Sequence, residues 1–208
     1  MNFLRSFIVS ICVVSSFPVN ASELEQRLNR ALSSLDNLKA DFKQTVLDDN
    51  KQVVQQSMGE VSIQRPGKFA WIYREPYEQQ IIADGEELWI YDVDLAQVTV
   101  KPMQSGLATA PIMLLMKQQP VETEFDVSEV GQRKYLYWIE LVPKQQDMEF
   151  TRVYIGLENE TIKAMELRDH FGQSTQIVFE NLRTNMIFDP GTFHFEPPPG
   201  VDVFGAGG

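Results

Sequence analysis

The sequence predicts a mostly β (α+β) fold, in which one curled antiparallel sheet is accompanied by an N-terminal helix and a second, short helix. Three observations lead to this prediction. An amphipathic segment near the start has helical spacing, about ten later segments alternate as strands, and one apolar segment in the middle interrupts that alternation. Sequential strands joined by short turns indicate a single large sheet that curls as it twists. The length fits one domain.

The first 21 residues have the pattern of a secretory signal peptide. Arg5 provides a positive start, residues 7–17 form an apolar run, and residues 19–21 end it as a signal peptidase site does. The apolar run is shorter than the ~20 residues that a membrane span needs, which disfavours an uncleaved anchor. We therefore expect export to the periplasm and a soluble mature domain at residues 22–208.

Residues 22–40 have the pattern of one amphipathic helix. Ser22, followed three residues later by Glu25, has the spacing of a capping box. The apolar residues that recur at helical spacing are Leu24, Leu28, Ala31, Leu32, Leu35 and Leu38.

From Phe42 onward the period changes to that of β-strands. Turn residues such as Asp84-Gly85 separate runs in which β-branched and aromatic residues alternate with polar ones. The predicted strands lie at residues 59–65, 68–74, 80–83, 87–91, 97–101, 122–130, 134–142, 149–156, 161–169 and 173–183. Prolines exclude a central strand after Phe193, and the Gly-rich end past Val203 is expected to be disordered.

Residues 105–117 (SGLATAPIMLLMK) break the strand rhythm. The segment is apolar without alternation, and Thr109 can cap a short helix at residues 109–117 that has Pro111 in its first turn. A surface helix would have a polar face, and this one has almost none before Lys117. We therefore expect other parts of the protein to cover it on most sides.

The predicted strands carry apolar and aromatic side chains on both faces. In one strand Phe69 and Trp71 share one face, while Ala70 and Ile72 lie on the other. Both faces then need cover, which the opening helix can give to one and the Met-Leu segment at residues 112–116 to the other. A curled sheet closed in this way encloses either a packed core or a ligand cavity, and this pattern alone leaves both open.

Residues for catalysis or metal binding are scarce. His170 and His194 are the only histidines and lack ligand spacing, no serine lies in a nucleophile-elbow context, and no Gly-rich phosphate loop is present. The net charge of −11 disfavours nucleic acid and anionic lipid as partners. We therefore expect no enzyme, no metal and no cofactor. A secreted hydrolase with a carboxylate pair from distant strands stays open as an alternative.

An ordered set of motifs resembles the LolA family over nearly the whole predicted mature chain. Residues 59–92 contain a Gly, Arg-Pro-Gly-x-Phe-x-Trp, a Pro, a hydrophobic strand ending in Asp-Gly, and Leu-Trp-x-Tyr-Asp. Residues 110–115 (APIMLL) look like the lid of that family, and Phe193-x-Phe195-x-Pro-Pro with Gly200-Val201 matches its ending. Each motif is weak by itself, whereas the ordered set is specific.

The resemblance implies an incomplete β-barrel whose helices close a hydrophobic cavity. Members of the family are periplasmic chaperones that bind the acyl chains of lipoproteins. They receive their cargo from the inner-membrane ABC transporter LolCDE and deliver it to the outer-membrane receptor LolB. We expect the same of this chain, as a monomer without a cofactor.

The resemblance also implies which residues act. Arg65 matches the family arginine that holds the lid through hydrogen bonds to backbone carbonyls, and by position its partners are Leu32, Leu115 and Met116. Phe69 matches a family residue that contacts cargo and transporter. The expected acyl-chain cavity comprises Phe42, Phe69, Trp71, Ile81, Trp89, Tyr91, Met103, Ile112, Met113 and Leu114.

Two alternatives share the expected fold. A receptor like LolB would need a lipidated N-terminal cysteine, and the only cysteine, Cys12, lies inside the apolar run without a lipoprotein cleavage site before it. A related periplasmic lipid-binding module or lipid sensor would normally carry a further domain. The carrier is the interpretation that the motifs favour.

Overall fold

The computed structural model describes residues 21–33, 36–103, 115–116, 119–145 and 148–205. In these ranges the chain forms one α-helix, a 3₁₀ turn and twelve strands of a single sheet. The elements are α1 (Ala21–Ser33), β1 (Asn37–Leu47), β2 (Val53–Gln64), β3 (Lys68–Glu75), β4 (Gln79–Asp84), β5 (Glu87–Asp92), β6 (Gln97–Pro102), the 3₁₀ turn (Val121–Thr123), β7 (Phe125–Arg133), β8 (Leu136–Pro143), β9 (Phe150–Glu158), β10 (Thr161–Asp169), β11 (Ser174–Thr184) and β12 (Asp202–Gly205). Within this part of the chain, no helix has the length and apolar character that crossing a membrane requires.

Two of the predicted segments lie mostly outside the described residues. Of the expected signal peptide, only Ala21 is described, as the first residue of α1. Of the short helix expected at residues 109–117, only Leu115 and Met116 are described.

The sheet consists of two meanders joined at β1 and β11. Its order is β12-β6-β5-β4-β3-β2-β1-β11-β10-β9-β8-β7, so β12 and β7 are the two edges and do not pair with each other. Side chains from β3 and β5 share one apolar core with side chains from β7 and β8, which requires the sheet to curl around that core. The prediction of a single curled sheet that stays unclosed is confirmed.

The sequence prediction places the end of the first helix too late in the chain. Helix α1 ends at Ser33, and β1 begins at Asn37, although residues up to 40 keep helical spacing. Leu38, Ala40 and Phe42 are all buried and alternate with more exposed neighbours, which is the period of a strand. Leu38 fits both the helical spacing and the strand alternation, and the sequence prediction therefore extends the helix too far. Leu35 lies outside the described residues.

The C-terminal end also differs from the prediction. Asp202–Gly205 forms β12, which pairs in parallel with β6, although the sequence predicts disorder past Val203. The amide of Asp202 donates to the carbonyl of Ala96 at 3.0 Å, an ordinary hydrogen-bond length. The reason is that β6 would otherwise be an unpaired sheet edge, and the short β12 satisfies its backbone groups.

The two faces of the sheet are covered by different segments. On the inner face, α1 contributes Leu28, Ala31 and Leu32 to the core, and Leu115 and Met116 belong to this same core. The expectation that the Met-Leu segment covers the opposite face is therefore wrong for these two described residues. The outer face of β3 and β4 packs instead against the tail that follows β11, in a small cluster formed by Ala70, Ile72, Ile82, Phe188, Phe193 and Phe195.

Candidate functional site

Arg65 lies in the turn between β2 and β3. Its backbone amide donates to the carbonyl of Asp36 at 2.8 Å, which fixes the start of the turn. The side chain is only 7% exposed, and its Nε donates to the carbonyl of Leu115 at 3.0 Å. Its Nη2 donates to the same carbonyl. The guanidinium thus joins a turn of the sheet to the segment that contains Leu115.

One described carboxylate lies near the charge of Arg65. Nη1 lies 3.5 Å from Oδ1 of Asp36, a carboxylate whose side chain is 75% exposed. Burial lowers the pKa of the Arg65 guanidinium from its ordinary value, and the charge and hydrogen bond of Asp36 oppose that shift. Arginine nevertheless stays protonated in proteins. Among the described residues its partners are one carbonyl and one exposed carboxylate, and loss of either would leave the buried cation less well compensated.

Of the expected partners of Arg65, Leu115 contacts it, and Leu32 and Met116 share the inner core with Leu115. Leu115 and Met116 are buried, and so is Leu32 of α1, all within the inner core. We name the four residues Arg65, Leu32, Leu115 and Met116 the latch. The contact between Arg65 and Leu115 is observed, and the role of the four residues in transport remains a prediction.

Five of the expected cavity residues line the inner face. Phe42, Phe69 and Trp71 are buried in the inner core, and Ile81 and Met103 pack against it. The ring centroids of Phe42 and Trp71 are 4.3 Å apart. These side chains form one continuous apolar surface inside the curled sheet.

Two further aromatic residues of the inner face are absent from the set predicted by sequence. The ring of Phe179 on β11 lies 6.4 Å from that of Trp71, and the ring of Tyr73 lies 5.3 Å from that of Phe42. Burial raises the pKa of the Tyr73 phenol, so its hydroxyl is protonated and donates to Oε1 of Gln44 at 3.2 Å. Tyr73 shares the face of Phe69 and Trp71 by simple alternation, which is a usable signal.

Trp89 and Tyr91 lie on the opposite face from the one expected. Their rings contact Phe195 of the tail, with centroid separations of 5.7 Å and 5.6 Å. Leu88 and Ile90 point toward the inner core, so their neighbours along β5 must point outward. The remaining expected cavity residues, Ile112, Met113 and Leu114, lie outside the described residues.

Among the described residues, the inner face is packed, whereas a cavity lies on the outer face. A cavity of about 630 Å³ lies between the tail residues Phe188 and Phe195 and the strand residues Ile72, Ile82 and Tyr91. In contrast, the largest inner side chains, among them Phe42 and Phe69, are almost fully buried. Of the two possibilities that the sequence leaves open, the described residues form the packed core.

The two histidines have separate partners. Nε2 of His170 lies 2.9 Å from the carbonyl of Met148, and Nε2 of His194 lies 3.2 Å from the carboxylate of Glu196. Across the ranges that the structure describes, no group of three or more His, Cys, Asp or Glu side chains could hold a metal ion.

Comparison with known proteins identifies the family. Residues 33–196 match the family model described as outer membrane lipoprotein carrier protein LolA. The chain belongs to the LolA family. This LolA-family chain is 46% identical over 180 residues to the outer-membrane lipoprotein carrier protein of Methylococcus capsulatus, with 86% of each chain covered. It is 37% identical over 205 residues to that of Methylobacillus flagellatus, covering 99% of this chain and 100% of the relative.

Solved structures with low sequence identity share the fold. An uncharacterized conserved protein from Thermus thermophilus has a TM-score of 0.58 at 10% identity, with 88% of this chain and 98% of that chain covered. MucB has a TM-score of 0.55 at 14% identity, covering 85% of this chain and 64% of that chain.

Membership of the LolA family, a carrier family, confirms the prediction of a carrier rather than an enzyme.

Proposed function

We propose that this LolA-family chain is a periplasmic chaperone that carries lipoproteins with their acyl chains inside the curled sheet. The observation that carries the proposal is the buried Arg65 guanidinium, which donates to the carbonyl of Leu115 across the edge of an otherwise apolar core. Curated relatives of 37% and 46% identity are outer-membrane lipoprotein carrier proteins. A polar contact at this position gives the apolar interior a releasable closure.

The energetics of closure suit a carrier. Burying a large aliphatic side chain contributes about 1.5–3 kcal/mol, so exposing Leu32, Leu115 and Met116 would cost about 5–9 kcal/mol. One acyl chain that buries about a dozen methylenes regains about 10 kcal/mol, at about 0.8 kcal/mol each. The cost of opening therefore offsets much of the gain from binding but not all of it. The cargo is held in water less tightly than in a permanently open cavity, which favours its transfer.

The proposed partners follow from the family. We propose that cargo arrives from the inner-membrane transporter LolCDE and leaves to the outer-membrane receptor LolB. The closed empty state has its interior satisfied by its own side chains, which offsets part of the gain from binding acyl chains. A receptor whose cavity lacks such a closure would then hold the same acyl chains more tightly, so that transfer proceeds in one direction.

Native mass spectrometry with a triacylated lipopeptide tests the proposal. We expect a one-to-one complex with the triacylated peptide and none with the same peptide after removal of its acyl chains. Equal binding of both peptides, or binding of neither, would contradict an acyl-chain carrier. A variant altered in the outer cavity, Ile82→Ala, is the matched control, because its side chain lies on the opposite face and its binding should be unchanged.

A further inference from the structure

Helix α1 is held by polar contacts to the half of the sheet that contains β7 to β10. The guanidinium carbon of Arg27 lies 4.3 Å from the ring centroid of Tyr137 on β8. Nη2 of Arg30 lies 3.1 Å from the carboxylate of Glu160, in the turn between β9 and β10. A third side chain, Asn29, reaches the 3₁₀ turn that leads into β7.

Asn29 uses both ends of its amide in this contact. Its Nδ2 donates to Oε2 of Glu122 at 2.9 Å, and its Oδ1 accepts from the amide of Val121 at 3.2 Å. Only this orientation of the amide serves both partners, because a carboxylate needs a donor and a backbone N–H needs an acceptor. Val121 itself is buried in the inner core.

The 3₁₀ turn is also tied to the sheet from its other side. Nζ of Lys144, which follows β8, donates to the carbonyl of Glu122 at 2.6 Å, and its backbone amide donates to the carbonyl of Glu124 at 2.9 Å. Thr123 closes the turn by donating from its hydroxyl to the carbonyl of Pro120 at 2.7 Å. The turn is therefore a fixed point, and Asn29 connects α1 to it.

Leu115 and Val121 are close in sequence and are held by different elements. Arg65 holds Leu115 from the turn between β2 and β3, whereas Asn29 holds Val121 from α1. Among the described residues, Arg65 meets the carbonyl of Leu115 and the exposed carboxylate of Asp36, while Asn29 makes two hydrogen bonds to a turn that Lys144 also holds. The contact of Asn29 is therefore suited to a permanent attachment of α1 to the 3₁₀ turn.

We propose that Asn29 is a positioning residue that keeps α1 attached to the 3₁₀ turn and thereby holds Val121 in the inner core. The exposed pair of Arg30 and Glu160 cannot supply this function, because exposed ion pairs contribute little. The consequence for transport rests on the proposed carrier function, whereas the attachment itself does not.

An exchange of the two side chains tests the pairing directly. Asn29→Asp keeps an acceptor for Val121 and places a second carboxylate against Glu122. Glu122→Gln is the matched control, because Asn29 can still bond to the new amide. In the double variant Asn29→Asp/Glu122→Gln, the amide of the new glutamine donates to the new carboxylate, which restores the bond in the reverse direction.

The amide proton of Val121 reports the result by hydrogen exchange in the empty protein. We expect Asn29→Asp to speed its exchange about tenfold, the single Glu122→Gln variant to match the wild type, and the double variant to recover most of the protection. Core amides such as those of Phe42 and Ile177 should be unchanged in all variants.

Two results of this experiment would overturn the proposal. One is exchange at the wild-type rate in Asn29→Asp, and the other is a double variant as unprotected as Asn29→Asp. If Asn29→Asp does not fold, recovery of folding in the double variant supports the pairing, and continued unfolding overturns it.

The transport consequence is measured separately. Dissociation of a triacylated lipopeptide from Asn29→Asp should be about tenfold faster than from the wild type, and the double variant should again recover. An unchanged dissociation rate together with a faster exchange at Val121 would overturn the role of Asn29 in holding cargo. If the wild type fails to bind the lipopeptide at all, the carrier function fails, and the exchange of Val121 still decides the attachment.

Discussion

The guanidinium of Arg65 and the backbone carbonyl of Leu115 are joined by two hydrogen bonds, although 50 residues of chain separate them. The carbonyl offers both bonds a single acceptor, and the guanidinium is buried beside it. A buried charge thus contacts the segment that contains Leu115. That contact is the most direct place to test the proposed carrier function.

Replacing Arg65 by leucine should separate uptake from release. The variant Arg65→Leu loses the closure of the empty state but keeps an apolar side chain in place, so that folding is preserved. We expect binding of lipopeptide to stay intact and transfer to the receptor to fall about tenfold, since about 1.4 kcal/mol of closure is lost. Arg74→Leu is the control, because Arg74 lies exposed on β3. Normal transfer by Arg65→Leu would contradict the latch.

Tryptophan fluorescence should distinguish the two faces of the sheet. Trp71 lies in the inner core, Trp89 contacts the tail, and Trp138 borders a groove with Tyr154 on the outer face. A lipopeptide with brominated acyl chains should quench the emission of the Trp89→Phe/Trp138→Phe variant, which retains only the inner tryptophan. The reciprocal Trp71→Phe variant should show little quenching. The opposite pattern would place the acyl chains on the outer face.

Gly59 should tolerate no side chain. A Cβ at this position would collide with the backbone carbonyl of Ile72 on the neighbouring strand and would press on the ring of Phe42. We expect Gly59→Ala to lower the free energy of unfolding by about 2 kcal/mol or more, because the strands must separate locally. Gly191→Ala is the control, since a Cβ at Gly191 would meet no neighbouring atom within 4 Å. Chemical denaturation of both variants checks the difference.

The carboxylate of Glu140 should contribute to stability in a pH-dependent way. Burial raises its pKa, but hydrogen bonds from Tyr154, Ser128 and Arg152 together lower it by more, so that the pKa lies below its ordinary value. An unfolded glutamate has a pKa of about 4.3, so the contribution is complete above that pH and is lost as the pH falls through the lower folded value. Glu140→Gln should cost about 1–2 kcal/mol at neutral pH and lose less stability on acidification.

The control for this prediction is Glu158→Gln. Its carboxylate lies 3.9 Å from Nζ of Lys163 and is well exposed, so the substitution should change the free energy of unfolding by less than about 0.5 kcal/mol at any pH. Urea denaturation at several pH values measures both variants. Parallel acid profiles for Glu140→Gln and the wild type would contradict the assigned network.

Much of the fold is predictable because strand alternation is a local signal. The predicted strands at residues 161–169 and 173–183 differ from β10 and β11 by no more than one residue at either end. The end of α1 is not predictable in the same way, because Leu38 fits both a helical stripe and a strand face. The strand β12 escapes prediction because its partner, β6, lies about a hundred residues earlier and nothing local marks the pairing.

The part of the candidate site that lies within the sequence motifs, Arg65 above all, is predictable from the sequence. The position of Arg65 before Pro-Gly places it at the end of a strand, where it meets Leu115. Which face of β5 turns inward cannot be derived from residues 88–91, because they are apolar or aromatic on both sides. Trp89 and Tyr91 face outward because Phe195 of the tail covers them there. The position of the tail is known only from the complete fold.

The central position of β1 in the sheet affects the order in which the protein can fold. On one side β1 pairs with β2, the next strand in the chain, and on the other side it pairs with β11. In this second pairing, Nζ of Lys43 donates to the carboxylate of Glu180, which lies 137 residues later. If the chain folds from its N-terminus, β1 to β6 form a meander with an open edge and an uncovered apolar face. Until β11 pairs with β1, this half of a carrier for apolar cargo is therefore itself prone to aggregation.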